Sequence, residues 1–452
     1  MFSPPTFMRP ERIHVRKAVS ETWGEFVLYV MDACQRSLGN FALEYAVYQA
    51  NRLGHPLIAV VPVDEKMPHA NLRRFKFMFE GLTKLREVLE TRKIRVLVEK
   101  ADRITRFLAE SCFTVLDTAY LGFQRAFRNQ ITESSQCSVV EVEGNVVVPV
   151  ELASNKPEPY ARTIRPKLIK HLNQFLEDLP VQTPEHSSIQ LNFENDVEKL
   201  FSSVKIDRTA SPVDYFTGGE DDALSRLKVF TEKKLRRYAE GRSDPGEDFS
   251  SELSPYLRYG MVSPVQVVKA ALEAVGPDDV NFNSLVNELV VWRELARNAA
   301  YYNPLFGTYD GLPEWAKQTL EKHKDDRREH VYDLQTLEKA DTHDRYWNAA
   351  QRELLYTGKI HNYMRMYWCK KLIEWTDDPR KAFEYAVYLN DRYGLDGVDP
   401  NSYLGISWCF GAFDRPFFES KIYGKIRKMT EESLKRKKGI TRYLQKYSQQ
   451  PL

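Results

Sequence analysis

The sequence predicts an α/β, doubly wound parallel-sheet domain over residues 25–150, followed by an all-α domain over residues 223–452. Three observations predict it. Short β-branched runs alternate with longer amphipathic ones up to residue 142, a connector rich in Pro, Ser, Asn and Asp fills 151–222, and nearly every segment from Asp221 onward reads at helical spacing.

Residues 1–24 read as an N-terminal extension. Pro4, Pro5, Pro10 and several charges interrupt any apolar segment there, which argues against a signal peptide. Strand runs then fall at Phe26–Val30, Leu57–Val63, Ile94–Val98, Phe113–Leu116 and Val139–Val142, with helical runs at Phe41–Leu53 and Leu72–Leu89 between them. Strand, helix, strand is the pattern of βαβ units. The turn after the first strand reads Met31-Asp32-Ala33-Cys34-Gln35-Arg36, with no GxGxxG, so a dinucleotide held in the usual Rossmann manner is not expected there. The connector carries Pro157, Pro159, Pro180, Pro184 and Pro212 and is expected to hold only short helices. Breaks in the second domain fall at 241–246, 276–279, 304–313 and 391–400.

Length and composition set the class. A chain of 452 residues exceeds what one core usually serves, and 42% hydrophobic with 28% charged residues is ordinary for a globular protein. The formal net charge of +2 says nothing about a nucleic-acid partner. Its distribution says more: residues 419–452 hold ten Lys and Arg against three Glu, a segment suited to phosphates or to a solvated terminal helix. Five scattered cysteines without a CxxC pair argue for a reducing compartment and against a zinc or iron–sulfur site. No apolar run approaches the ~20 residues of a membrane span. A soluble intracellular protein is the expectation.

Four constellations could carry chemistry, each with a plainer reading beside it. Ser250-Ser251-Glu252-Leu253-Ser254-Pro255-Tyr256-Leu257, with Tyr238 upstream, offers hydroxyls and free N–H groups at a helix start, a phosphate cradle or simply an N-cap. Glu288 and Trp292 stand four apart, so an α-helix would put a carboxyl beside a stacking surface; a core Trp and a surface salt bridge would look the same. Trp368 and Trp375 are seven apart, roughly 10 Å along one helical stripe. With Trp347 they form either an electron relay or plain core. Last, Asn390 to Tyr403 followed by Trp408 and Asp414-Arg415 gathers amides and carboxylates on a Gly- and Pro-broken stretch, a cofactor edge or an exposed loop.

In order and wording these segments resemble the photolyase/cryptochrome family. Ser250 to Leu257 is similar to the family's flavin-phosphate motif, and "WNAAQRELLYTGKIHNYMRMYWCKKLIEW", "YLNDRYGLDGVDPNSY", "NLRRFKFMFEGL" and "YARTIRPK" are similar to the class II branch of cyclobutane pyrimidine dimer photolyases, in outline over the whole chain. The resemblance implies a photolyase fold with flavin adenine dinucleotide (FAD) bent inside the helical domain, and UV-damaged DNA as the partner of a monomer. It implies that Tyr238, Ser250, Ser251, Leu253 and Ser254 hold the cofactor, that Arg365 and Asp396 form an ion pair bordering the flavin ring beside Gly397, and that Asn390 faces the ring with Asp414 nearby. Glu288 would bond the dimer's carbonyl edge, between walls made by Trp292, Met366 and Trp408. Trp368, Trp347 and Trp375 would relay electrons, in that order outward. Arg242, Arg415, Lys421 and Lys425 would face DNA.

The implied reaction is light-driven: an electron from excited reduced flavin opens the cyclobutane ring of a flipped-out dimer and then returns, a carbon–carbon lyase reaction without net redox change. Two residues depart from the class II pattern, Asn362 in place of Gly and Ser243 in place of Asn. Met31–Arg36 and 117–123 differ from antenna-binding relatives, so a second chromophore is left open. Three rivals each lack an expected feature. A (6-4) photolyase needs a His pair where this chain has Asn362 and Met366. A cryptochrome-like photoreceptor is expected to carry a long C-terminal extension, whereas a short basic segment follows Asp414-Arg415 here. An ATP-using enzyme would need a Gly-rich phosphate loop.

Overall fold

The computed structural model describes residues 2, 4–20, 23–448 and 450. Its six strands are β1 (Ile13–Lys17), β2 (Phe26–Val30), β3 (Leu57–Val63), β4 (Arg95–Lys100), β5 (Ser111–Asp117) and β6 (Ser138–Val142). They form one sheet in the order β1-β6-β5-β2-β3-β4, parallel throughout except for β1, which runs antiparallel to β6. Every residue of β2, β3, β5 and β6 is buried, as expected where helices cover both faces. Pro62 is tolerated because it lies past Leu57–Val60, the stretch of β3 that pairs with β2, while Ile58–Val63 stay in register with β4.

The N-terminal boundary differs from the sequence expectation. Residues 13–17 belong to the sheet rather than to a detached extension. Ile13-His14-Val15-Arg16-Lys17 alternates apolar with charged side chains and is only partly buried, the pattern of an edge strand with one wet face.

Helix α1 (Phe41–Leu53) starts on the Asn40 side chain, which accepts Leu43 N–H, and stops at Gly54 with φ 70°. Helix α2 (Leu72–Thr91) starts likewise on Asn71. Helix α3 (Gly122–Ser134) joins β5 to β6, and α4 (Ala161–His171) lies in the connector. The second domain contains α5 (Ser254–Tyr259), α6 (Val280–Val286), α7 (Arg293–Tyr302), α8 (Arg345–Thr357), α9 (Asn362–Trp375), α10 (Pro379–Tyr393), α11 (Pro400–Cys409) and α12 (Ile440–Tyr447), among shorter pieces. Asp344, Asp378 and Asp399 cap α8, α10 and α11. Besides the expected breaks, residues 323–333 and 410–430 run as turns and loops.

Arginines tie the two domains together. Arg73 on α2 donates to Leu354 O (3.2 Å), Leu355 O (3.0 Å) and Tyr393 O (3.0 Å), so one guanidinium meets the last turns of both α8 and α10. Arg74 reaches Asp391 O at 3.2 Å. From the other side, Arg293 donates to Asn145 O at 2.8 Å, and the buried Glu294 carboxylate accepts the N–H groups of Val147 (2.5 Å) and Val148 (3.2 Å).

Candidate flavin and lesion site

The 394–399 turn gathers a polar cluster between α9 and α10. Arg365 on α9 donates through Nη2 to Asp396 Oδ1 (2.8 Å) and Oδ2 (2.9 Å), and through Nη1 to Asn390 Oδ1 (3.2 Å). Ser254 Oγ donates to Asp396 Oδ2 at 2.8 Å. This ion pair is buried but well satisfied, which offsets its desolvation. Asn390 Nδ2 donates to Asp391 Oδ1 (2.9 Å), and Asp391 also accepts Val398 N–H (2.8 Å) and the Tyr403 hydroxyl (2.8 Å). Asn390 is therefore held at both ends of its amide. Gly397 is required by packing, since a Cβ there would lie 2.9 Å from Asn390 O.

Helix α5 starts beside this cluster without a side-chain cap. Glu252, at φ 56°, turns its carboxylate to Arg226 (3.1 Å) and Tyr215 (2.9 Å), and Ser254 turns to Asp396. Leu253 is buried, while Ser250 and Ser251 remain partly exposed at the open helix start. The Ser254 hydroxyl thus bonds Asp396, whereas the motif resemblance assigns it to the pyrophosphate. Such a donor set, an uncapped helix N-terminus next to a fixed guanidinium–carboxylate pair, suits an anionic group joined to a polar ring edge.

Glu288 and Trp292 lie on a π-helical turn, Asn287–Trp292, between α6 and α7, not on the α-helix their spacing suggests. Leu289, Val290 and Val291 are buried, and Glu288 and Trp292 are both partly exposed. The wide turn is a common device where a helix must present side chains to a site. Glu288 Oε1 accepts from Asn287 Nδ2 (2.9 Å) and pairs with Arg242 Nη2 (3.1 Å). Burial raises the Glu288 carboxyl above its usual range, and the Arg242 charge opposes that shift. Arg242 also donates to Ser284 Oγ at 3.1 Å. This residue of the expected DNA-facing set is thus engaged by the Glu288 carboxylate. Tyr238 is buried against the same pair, and burial with the Glu288 charge pushes its phenol up. Two residues on, Asp244 accepts Gly439 N–H (3.0 Å) just before α12, a link that nothing in the sequence marks.

The three indoles meet in the helical core, each at most 1% exposed. Trp347 stacks on Trp368 with centroids 6.1 Å apart and 10° between planes, and meets Trp375 edge-on at 5.7 Å. Trp347, from α8, bridges the two indoles of α9. Trp368 Nε1 donates to Gln351 Oε1 and Trp347 Nε1 to Trp368 O, both at 2.9 Å. Beyond Trp375 stand Tyr332 (5.5 Å) and His343 (5.3 Å), and Tyr332 Oη lies 2.7 Å from His343 Nδ1. These two rings were not found in the sequence, because their segment has no periodicity to mark it.

Met366 on α9 and Trp408 on α11 are partly exposed and adjoin through Cys409, whose Sγ lies 3.7 Å from Met366 Sδ. Asp414 is bound to Arg427 at 3.1 Å, which fixes its carboxylate at the start of the 410–430 loop. Arg415, Lys421 and Lys425 are exposed along that loop, next to a fully exposed Phe418.

A family model described as DNA photolyase matches residues 27–185. A protein of Methanothermobacter thermautotrophicus named deoxyribodipyrimidine photo-lyase is 40% identical over 424 residues, 93% of this chain and 94% of its own length. The chain belongs to the DNA photolyase family. An Arabidopsis thaliana relative with the same name is 34% identical over 97% of this chain and 92% of its own. The family fold is equally clear in three dimensions: a bacterial class III photolyase from Agrobacterium tumefaciens superposes with a TM-score of 0.73 at 19% identity, over 96% of this chain and 88% of that one. An N-terminal parallel-sheet domain and a helical C-terminal domain are thus the family's architecture here. Among the described residues no helix is long and apolar enough to cross a membrane, and no cluster of His, Cys, Asp or Glu could hold a metal ion.

Proposed function

We propose that this family member repairs cyclobutane pyrimidine dimers in DNA with light, as a class II enzyme carrying FAD. The observation that supports it most is the junction of three parts in one domain: an open helix start beside the Arg365–Asp396 pair, a half-buried Glu288 carboxylate, and a stacked indole column. When bound, reduced FAD supplies the photoexcited electron that opens the cyclobutane ring and takes it back afterwards.

The rest is the work of the chain. Ser250, Ser251 and the first N–H groups of α5 hold the pyrophosphate, and Arg365, Asp396, Asn390 and Gly397 border the ring. Arg242 keeps Glu288 placed and biased toward its charged form, and Glu288 meets the carbonyl edge of the lesion. Trp292, Met366 and Trp408 exclude water around it. Trp375, Trp347 and Trp368 pass electrons inward, in that order, to regenerate the reduced cofactor. A second chromophore is not assigned: the crevice at the C-terminal ends of the strands, lined by Asp32, Gln35, Phe75, Phe127 and Arg128, encloses only about 70 Å³.

Incubating the reduced holoprotein with a dimer-containing oligonucleotide, lit and unlit, tests the reading. Light-dependent restoration of the pyrimidines is expected; a flavoprotein that binds light but leaves dimers intact would instead be a photoreceptor.

A further inference from the structure

Lys370 takes no part in the roles above, yet it lies directly against the lesion wall. It sits on α9 one turn after Met366 and is fully buried. Among the described residues no carboxylate forms an ion pair with it. Its Nζ donates to Cys409 O at 2.6 Å, at the end of α11, where the last carbonyls carry the helix's partial negative charge. The same Nζ stands 5.0 Å from the centroid of the Trp408 ring. The Arg427 guanidinium, held by Asp414 at 3.1 Å, lies 5.6 Å from that ring. Burying an ammonium without a carboxylate is costly, and an apolar chain of similar length would fill the space at less expense. The α11 carbonyl and the indole face offset this cost at contact, with the Asp414 charge acting from farther off.

We propose that Lys370 is a positioning residue for lesion binding: its ammonium pins the Trp408 indole, so that the wall is in place only while Lys370 is charged. This rests on the assignment of Trp408 to the lesion wall. Burial pulls the Lys370 ammonium down to about 8, so the charge is present below that pH and lost as pH rises through it. The ionisable groups around it are Cys369 and Arg365 on α9, Cys409 on α11, Asp414 and Arg427 after it, and Tyr423, whose hydroxyl bonds both Lys370 O and Glu374. Burial pushes Cys369 and Tyr423 well above their usual values, away from the Lys370 titration.

Dark binding of the flavin-loaded protein to dimer-containing and undamaged oligonucleotides, from about pH 6 to about pH 10, tests this across the lysine titration. Wild type is expected to lose about tenfold in dimer affinity as Lys370 discharges, with undamaged DNA unaffected. Lys370→Met should bind the dimer about tenfold more weakly at neutral pH and without that step, while melting no lower, since a buried charge has gone. Lys370→Arg stays charged and should hold dimer affinity to high pH. A Met variant with wild-type affinity or an intact pH step, or a folded Arg variant that still loses affinity on the same step, overturns the proposal. Trp408→Ala separates the two claims. If it leaves dimer affinity unchanged, the wall assignment itself fails; if it weakens the dimer and Lys370→Met does not, only the Lys370 proposal fails.

Discussion

At the scale of single residues, the Arg242–Glu288 pair controls the charge of the group nearest the proposed chemistry. Glu288 is pulled two ways, upward by burial and downward by the Arg242 guanidinium at 3.1 Å. Removing the cation takes away the largest downward pull and leaves burial opposed only by the Asn287 hydrogen bond and the Arg165 charge. Arg242→Gln should therefore move the Glu288 titration to higher pH, so that the carboxyl stays protonated into a range where wild type is ionised. Infrared titration of the carboxyl stretch reads this, with Glu288→Gln assigning the band; an unchanged midpoint would show that the pair does not persist in solution. Glu288→Ala should keep flavin bound yet slow dimer splitting by about a hundredfold, the loss typical of a removed transition-state partner.

At the scale of elements, the indole column depends on α8 and α9 packing so that Trp347 fits between the rings of Trp368 and Trp375. Trp368→Phe removes the ring at the inner end of the column. Photoreduction of oxidised flavin should stop, while chemically reduced protein should still repair; flash absorption and a dimer-splitting assay separate the two. The 410–430 loop gives a second prediction. Replacing Arg415, Lys421 and Lys425 together with Gln should flatten the salt dependence of DNA binding, by about 0.9 in log–log slope for each phosphate that is no longer neutralised.

The elements also show what could be read in advance. β2, β3, β5 and α1 were legible because fully buried β-branched runs and a capped amphipathic run leave clear periodic signals in the chain. β1 was not, since its half-wet pattern resembles a charged tail until β6 supplies its partner. The π turn at 287–292 escaped because an extra residue per turn changes hydrogen bonding without changing composition. In the site, the residue types that meet could be named from motif resemblance. Their true partners, Arg242 with Glu288 and Ser254 with Asp396, come from segments 46 and 142 residues apart, and local sequence carries no record of such pairings.

At the scale of the whole molecule, the buried Glu294 carboxylate joins the helical domain to the α/β domain through two backbone N–H groups. Burial pushes it to about 7 despite those bonds. Glu294→Ala would strand both donors away from water, at about 1–3 kcal/mol each before any relaxation. A clear fall in Tm and in denaturation midpoint is expected, with the flavin spectrum unchanged at temperatures where the fold persists. An unaltered Tm would mean that the seam hydrates freely.

The guanidinium of Arg73 has a larger consequence. Because it adds a cation from the opposite domain to final turns that Gly358 and Gly394 cap by backbone bonds alone, the ends of α8 and α10 lean on the sheet domain beside them. Heating should therefore give one calorimetric endotherm rather than two, and a proteolytic nick in the 176–196 stretch should leave fragments that travel together on a sizing column.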